Sequence, residues 1–331
     1  MKNSPSAAAL QSRRHLLRSA GAVLALAAAS PLKAQSRYPS RPVHLIVPLP
    51  AGSSPDFIAR LWSDQFSKRT GHPVIVENRP GASTSIAAQA VKSSVPDGHT
   101  LFWTVADTFS INPYIFPKLR YEANDFVPVT RVVSVPYVLL VSADSKFQTL
   151  DELIAAAKAN PNSLNYGSAG IGSGLHLMMA RLLNTAGVAM NHVPYKDSLF
   201  PDLIAQRTHA CFIAATAAIS QINGGRLKAL GVSSPTRIEA LKDVAPIAER
   251  FPGFEGDSWQ GIFAPKGTPQ DIVSSIAEHS SAIVGATAFR ETLANYGAIP
   301  VSSRPDEFSL FLADDARTWS QFIRANGIVA E

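Results

Sequence analysis

The chain has 331 residues, 46% of them hydrophobic and 17% charged, with 30 Lys and Arg against 25 Asp and Glu. Residues 1–34 hold Lys2, Arg13, Arg14, Arg18 and Lys33 and no acid, so the other 297 residues carry 25 charges of each sign and lack the basic footprint of a nucleic-acid binder. The single cysteine, Cys211, excludes an internal disulfide, so a sizeable core must supply stability.

The first 34 residues read as an export signal. SRRHLLR carries paired Arg13 and Arg14, an alanine-rich stretch runs from Ala20 to Ala29, and Ala34 is a small residue suited to cleavage before Gln35. The twin arginine, the weakly hydrophobic core and Lys33 near the cut favour the twin-arginine route over Sec. The apolar stretch is far shorter than the roughly 20 residues of a membrane span.

Beyond the signal, strand-length apolar runs alternate with helix-period segments. VHLIVPL (43–49) precedes a helix over 56–66, PVIVEN (73–78) precedes one near 83–92, and TLFWTV (100–105) follows. Such alternation predicts an α/β fold with a mostly parallel sheet. Gly71 reads as the residue just past a helix end, and Thr149 with Glu152 as a capping box. A second set of strands is predicted near 137–141, 164–168, 191–194, 209–214 and 227–232. Then GIFAP (261–265) returns as a strand, and helices follow over 269–284, 286–296 and 305–325, the last with Phe308, Leu312, Trp319, Phe322 and Ile323 on one face. Two α/β sets imply two lobes, 35–135 plus 259–331 and 136–258, with a ligand cleft between them.

Three loops carry the chemistry. NYGSAGIGSGLHL (165–177) passes from a strand through Gly167, Ser168, Gly170, Gly172, Ser173 and Gly174 into a helix, offering hydroxyls beside the free N–H groups of a helix start. VPLPAGSSPD (47–56) does the same through Pro50, Ala51, Gly52 and Ser53; Asp56 either caps the first turn electrostatically or touches ligand. ENRPGASTS (77–85) places Ser83 and Thr84 before a third helix start. Helix starts at the carboxyl ends of parallel strands converge on one crevice, and a small carboxylate suits it. HVPYKD (192–197) brings Tyr195, Lys196 and Asp197 to a further strand end, where Lys196 either attracts an anion or solvates the rim.

Familiar enzyme patterns fail. GSAGIGSG matches neither GxSxG, GxGxxG nor a P-loop. His176, one turn into its helix, reads as a packing or hydrogen-bonding group rather than a base. The eight histidines form no HxxxH or HExxH pair, so neither metal nor cofactor is expected. Cys211, within HACFIAA, belongs to a buried strand.

The motifs YPSRPVHLIVPLPAG, VIVENRPGA, PDGHTLFW, LNYGSAGIGSGLHL, HVPYK, GRLKALGVSSPTR and SWQGIFAPKGTP closely resemble those of the Bug family, the extracytoplasmic solute receptors of tripartite tricarboxylate transporters. The resemblance covers nearly the whole chain after the signal. It implies a class II periplasmic-binding-protein fold, two α/β lobes that close on a small organic carboxylate for membrane transporter subunits. It also implies carboxylate-holding loops that map onto Pro50, Ala51, Gly52, Ser53, Asp56, Ser168, Gly170 and Ser173. The chain departs from the family pattern at Ser53, at Ser83-Thr84, at Asp197 and at Arg207-Thr208-His209, where the family has glycines or a glycine-rich loop ending in valine-aspartate. The expectation is a periplasmic, non-catalytic receptor delivering its solute to a transporter. The alternatives are a ligand-binding partner of a periplasmic sensor kinase, or an exported hydrolase or isomerase.

Overall fold

Strand and helix patterning is realised along nearly the whole chain in a computed structural model, which describes residues 38–329; the export segment lies outside them. The strands are β1 Val43–Val47, β2 Val74–Asn78, β3 Thr100–Val105, β4 Phe126–Ser142, β5 Asn165–Ser168, β6 Asn191–Pro194, β7 Ala210–Ala214, β8 Leu227–Val232, β9 Asp257–Pro265 and β10 Ile299–Pro300. The helices are α1 Ser54–Thr70, α2 Ser85–Lys92, α3 Asn112–Ile115, α4 Leu150–Ala159, α5 Gly174–Ala186, α6 Phe200–Ile204, α7 Ala215–Asn223, α8 Gln270–Gly285, α9 Thr287–Asn295 and α10 Pro305–Ala325. A π-helical turn, Asp107–Ile111, leads from β3 into α3.

The strand order is β2-β1-β3-β9-β4-β7-β5-β6, with β8 and β10 also on β4. A mostly parallel sheet was the expectation, and it needs correction. β1 pairs with β2 and β3, and β5 with β6 and β7, in parallel, whereas every pairing of β4 and β9 is antiparallel. The reason is topological: β4 is one 17-residue strand shared by both sheets. Phe126 to Pro136 pair with β9, and Tyr137 to Ser142 pair with β7 and β8. Its prolines sit where a ladder tolerates a missing donor, Pro128 at a register shift and Pro136 at the changeover between sheets.

Each sheet buries its own apolar layer. Phe102, Phe109, Phe126, Trp259, Phe263 and Phe308 cluster on the first, while Tyr137, Met178, Leu182, Phe212, Phe254 and Trp319 cluster on the second. Helix α10 serves both layers, giving Phe308 to one and Trp319 and Ile323 to the other. This is a two-lobed α/β architecture, each lobe built on its own sheet and apolar layer.

Local signals explain the element ends. Thr149 accepts from the Glu152 N–H while Glu152 accepts from the Thr149 N–H, the reciprocal capping box. Gly71 ends α1 at φ 76°, in the left-handed region that favours glycine.

Candidate functional site

Strands β1, β2 and β5 each run into a loop and then a helix, which places the three Gly/Ser loops at carboxyl ends of parallel strands. In the first loop Gly52 turns at φ 80°, and its N–H donates to Asp56 Oδ2 at 2.9 Å. Asp56 is buried and also accepts from Arg60 Nε at 3.0 Å and Asn78 Nδ2 at 2.9 Å. Burial pushes its pKa up, but hydrogen bonds from Arg60, Gly52 and Asn78 outweigh it and hold the carboxyl below its usual range. Both oxygens of Asp56 therefore serve to fix the loop. Ser53 stands at the N-cap of α1 with extended backbone, yet its hydroxyl caps nothing and is a buried oxygen without a hydrogen-bond partner. Pro50 accepts from the Ser53 N–H at 3.2 Å, and Ala51 is exposed beside Gly52.

The second loop is strained. Ala82, Ser83 and Thr84 have φ of 46°, 47° and 73°, three successive side-chain-bearing residues in the left-handed region. Asn112 holds them: its Nδ2 donates to the Ser83 carbonyl at 2.6 Å and to Thr84 Oγ1 at 3.2 Å. Thr108 adds a hydroxyl donor to Thr84 Oγ1 at 3.0 Å. Ser83 is exposed and Thr84 buried. Beside this loop, Ala82, Ser83, Ile86, Phe116 and Lys118 line a cavity of about 760 Å³.

In the third loop Ser168 is fully buried and contacts His192 Nε2 at 2.6 Å, while the Gly170 N–H donates to its hydroxyl at 3.2 Å. Ser173 caps α5 by accepting from the His176 N–H at 3.3 Å. The Gly172 N–H donates to His176 Nδ1 at 3.1 Å, which requires that nitrogen to be unprotonated. The His176 and His192 rings stack at 4.1 Å and 8°, with Tyr166 parallel to both. Burial, and then the neighbouring His192, lowers the His176 pKa from 6.5 to about 4; burial lowers that of His192 as well and pushes Tyr166 up to about 12. The Gly174 N–H, at the start of α5, donates to Asp107 Oδ2 at 3.2 Å. The helix start that the sequence marks as an anion receiver thus holds a carboxylate of the chain itself.

Some expected residues lie apart from these contacts. Tyr195 packs its ring against Gly167 and donates its hydroxyl to Asp202 at 2.7 Å, and Asp197 is exposed. Gly170 has φ 105° and open space where a Cβ would point, so its need for glycine is conformational. Asp107, Asn112, Thr108 and His192 escaped sequence reasoning, since nothing local in the sequence singles them out; Asp107 meets Gly174 across 67 residues. Cys211 is fully buried, with burial raising its thiol pKa.

No acid reaches His192 among the described residues, so the Ser168–His192 contact lacks the orienting group of a hydrolytic triad. Among the same residues, no group of three or more His, Cys, Asp or Glu is placed to hold a metal, and no helix is long and apolar enough to cross a membrane.

Comparison with known proteins agrees with this architecture. The family described as "Tripartite tricarboxylate transporter family receptor" matches residues 58–328. Protein BugT of Bordetella pertussis is 33% identical over 304 residues, covering 90% of this chain and 93% of its own. An R. palustris protein solved with adipate is 30% identical with a TM-score of 0.83, over 88% of this chain and 99% of that one. MatC from Rhodopseudomonas palustris with bound malate is 27% identical with a TM-score of 0.77, over 86% of this chain and all of the other.

Proposed function

Because the chain belongs to the tripartite tricarboxylate transporter receptor family, a family of periplasmic solute-binding proteins, we propose that it captures a small organic carboxylate in its cleft for delivery to membrane transporter subunits. The observation that carries the carboxylate reading is the start of α1: a left-handed Gly52, the orphan Ser53 hydroxyl and the positive end of a 17-residue helix, all at the carboxyl end of β1. The adipate and malate bound by two neighbours support the same ligand class. Pro50, Ala51 and Gly52 shape this loop, Asp56 rigidifies it, and Ser168, Gly170 and Ser173 form the opposing wall. The lobes divide at Pro136–Tyr137 and near Asp257. Residues 1–34 direct export by the twin-arginine route and are then removed.

Binding without chemistry is the expected mode. Ser168 is held by Gly170 and His192 with no acid behind the imidazole among the described residues, which favours a receptor over an exported hydrolase or isomerase. The relatives speak for transport and lend no support to a sensor-kinase partner.

Calorimetry with a panel of organic acids tests the reading. Ser53→Ala should weaken a carboxylate about tenfold or more, as expected for a hydroxyl donated to a charged group. The reading fails if only uncharged compounds bind saturably, or if folded Ser53→Ala matches the wild type on every acid.

A further inference from the structure

Asp107 is a carboxyl that the protein leaves without a cationic partner among the described residues. It is half-buried on the π-helical turn after β3, and its Oδ2 accepts from the Gly174 N–H, yet no Lys, Arg or His pairs with it among the described residues. Its other neighbours make matters worse for an anion. Burial and repulsion from Asp315 raise its pKa despite the backbone N–H groups of Gly174 and Asp107 itself, and the Tyr137 hydroxyl lies against the same Gly174.

The position of this carboxylate matters for ligand choice. Val105, two residues before it, is the register partner of the buried Gln260, whose Nε2 reaches Ser54 Oγ at 3.3 Å. The start of α1 follows β1 and Asp107 follows β3, its parallel neighbour, so both lie at carboxyl ends of adjacent strands, while the start of α5 meets Asp107 from the second sheet. One end of this crevice offers an orphan hydroxyl at a positive helix terminus. The other offers a carboxyl without a cationic partner among the described residues.

We propose that Asp107 sets the solute class, so that the cleft takes carboxylates bearing a cationic nitrogen and disfavours dicarboxylates. The carboxylate faces the Ser53 end and the ammonium pairs with Asp107, giving it the cation it lacks; a second carboxylate would compete with Asp107 for the Gly174 N–H and find no cation there. This rests on the carboxylate reading given above and names its substrate class.

The test uses two matched series on the full exported protein: α,ω-dicarboxylates from malonate to suberate, and the amino acids made by replacing one carboxylate with ammonium, from glycine to 7-aminoheptanoate. Affinities are measured by calorimetry for the wild type, Asp107→Asn and Asp107→Ser. The wild type should bind its best amino carboxylate at least tenfold more tightly than the matched dicarboxylate and should reject adipate. Both variants should lose that preference, Asp107→Asn while keeping an acceptor for Gly174. A wild type that binds dicarboxylates as tightly overturns the proposal by itself, however the variants fold. So does an unchanged ratio in a folded variant. If neither series binds while uncharged compounds do, the carboxylate reading falls and the proposal falls with it; if carboxylates bind without discrimination, only the role of Asp107 falls.

Discussion

His176 shows how a residue at a helix start becomes tied to pH. Its Nδ1 accepts from the Gly172 N–H and its ring lies on His192, so protonation would abolish one bond and place a cation against another imidazole. A histidine with a folded pKa of about 4 against 6.5 unfolded contributes full stability above pH 6.5 and loses it as pH falls toward 4, because the unfolded chain binds the proton first. Allowing for partial exposure, the loss between pH 7.5 and pH 5 is about 1 kcal/mol. Urea unfolding at these two pH values should therefore show a smaller decrease for His176→Gln than for the wild type. Equal decreases would mean that His176 is not one of the groups that titrate on unfolding. At this scale the sequence is partly legible. Ser173 declares itself as a cap by preceding an apolar-periodic run, and Thr149 with Glu152 by their spacing. His192 and Asn112 declare nothing, since their roles depend on partners 24 and 29 residues away.

Elements are more legible than contacts, because hydrophobic period and caps are local. TLFWTV becomes β3 over the expected residues, and the C-terminal amphipathic run becomes α10 at the expected bounds. Of the long β4 the sequence marks only 137–141, since Pro128 and Pro136 are local breakers whose compatibility with a strand depends on partners in β9. The 81–84 loop is a similar case, where identity and conformation disagree. Left-handed backbone costs a side-chain-bearing residue roughly 1–2 kcal/mol, and glycine gives back roughly 0.5–1 kcal/mol through its freer unfolded state. Ser83→Gly, at an exposed position, should thus stabilise by about 0.5 kcal/mol. Thr84→Gly should destabilise by about 1–2 kcal/mol, since it removes the buried hydroxyl that Thr108 and Asn112 donate to. Denaturant midpoints of the two variants moving in the same direction would contradict the division of labour between these neighbours.

The whole molecule joins two sheets through a few segments, and these decide how far it can move. β4 changes sheets between Pro136 and Tyr137, Asp257 pairs with Pro136 at the same level, and α10 packs on both apolar layers. Gly174 with Asp107, and Gly172 with Ile115, add contacts between the cleft loops of the two sets. Such a frame permits hinge bending but opposes large rotation, because α10 would have to leave one of its layers. Alternating apolar runs make the two sets readable, whereas the shared helix is not, as Phe308 and Trp319 look alike until their partners are known. Ligand touching both walls favours the closed form only by its differential contacts, so closure should be modest. Labels on Ile86→Cys and Lys196→Cys, both at exposed positions flanking the cleft loops, can follow it, and buried Cys211 should stay unlabelled. The label distance should shorten at saturating carboxylate while the radius of gyration falls slightly. Closure as the signal to the transporter would be refuted by an unchanged distance and radius in a protein that calorimetry shows to be saturated, because a solute that alters neither lobe angle nor shape gives the membrane subunits no geometric difference to recognise.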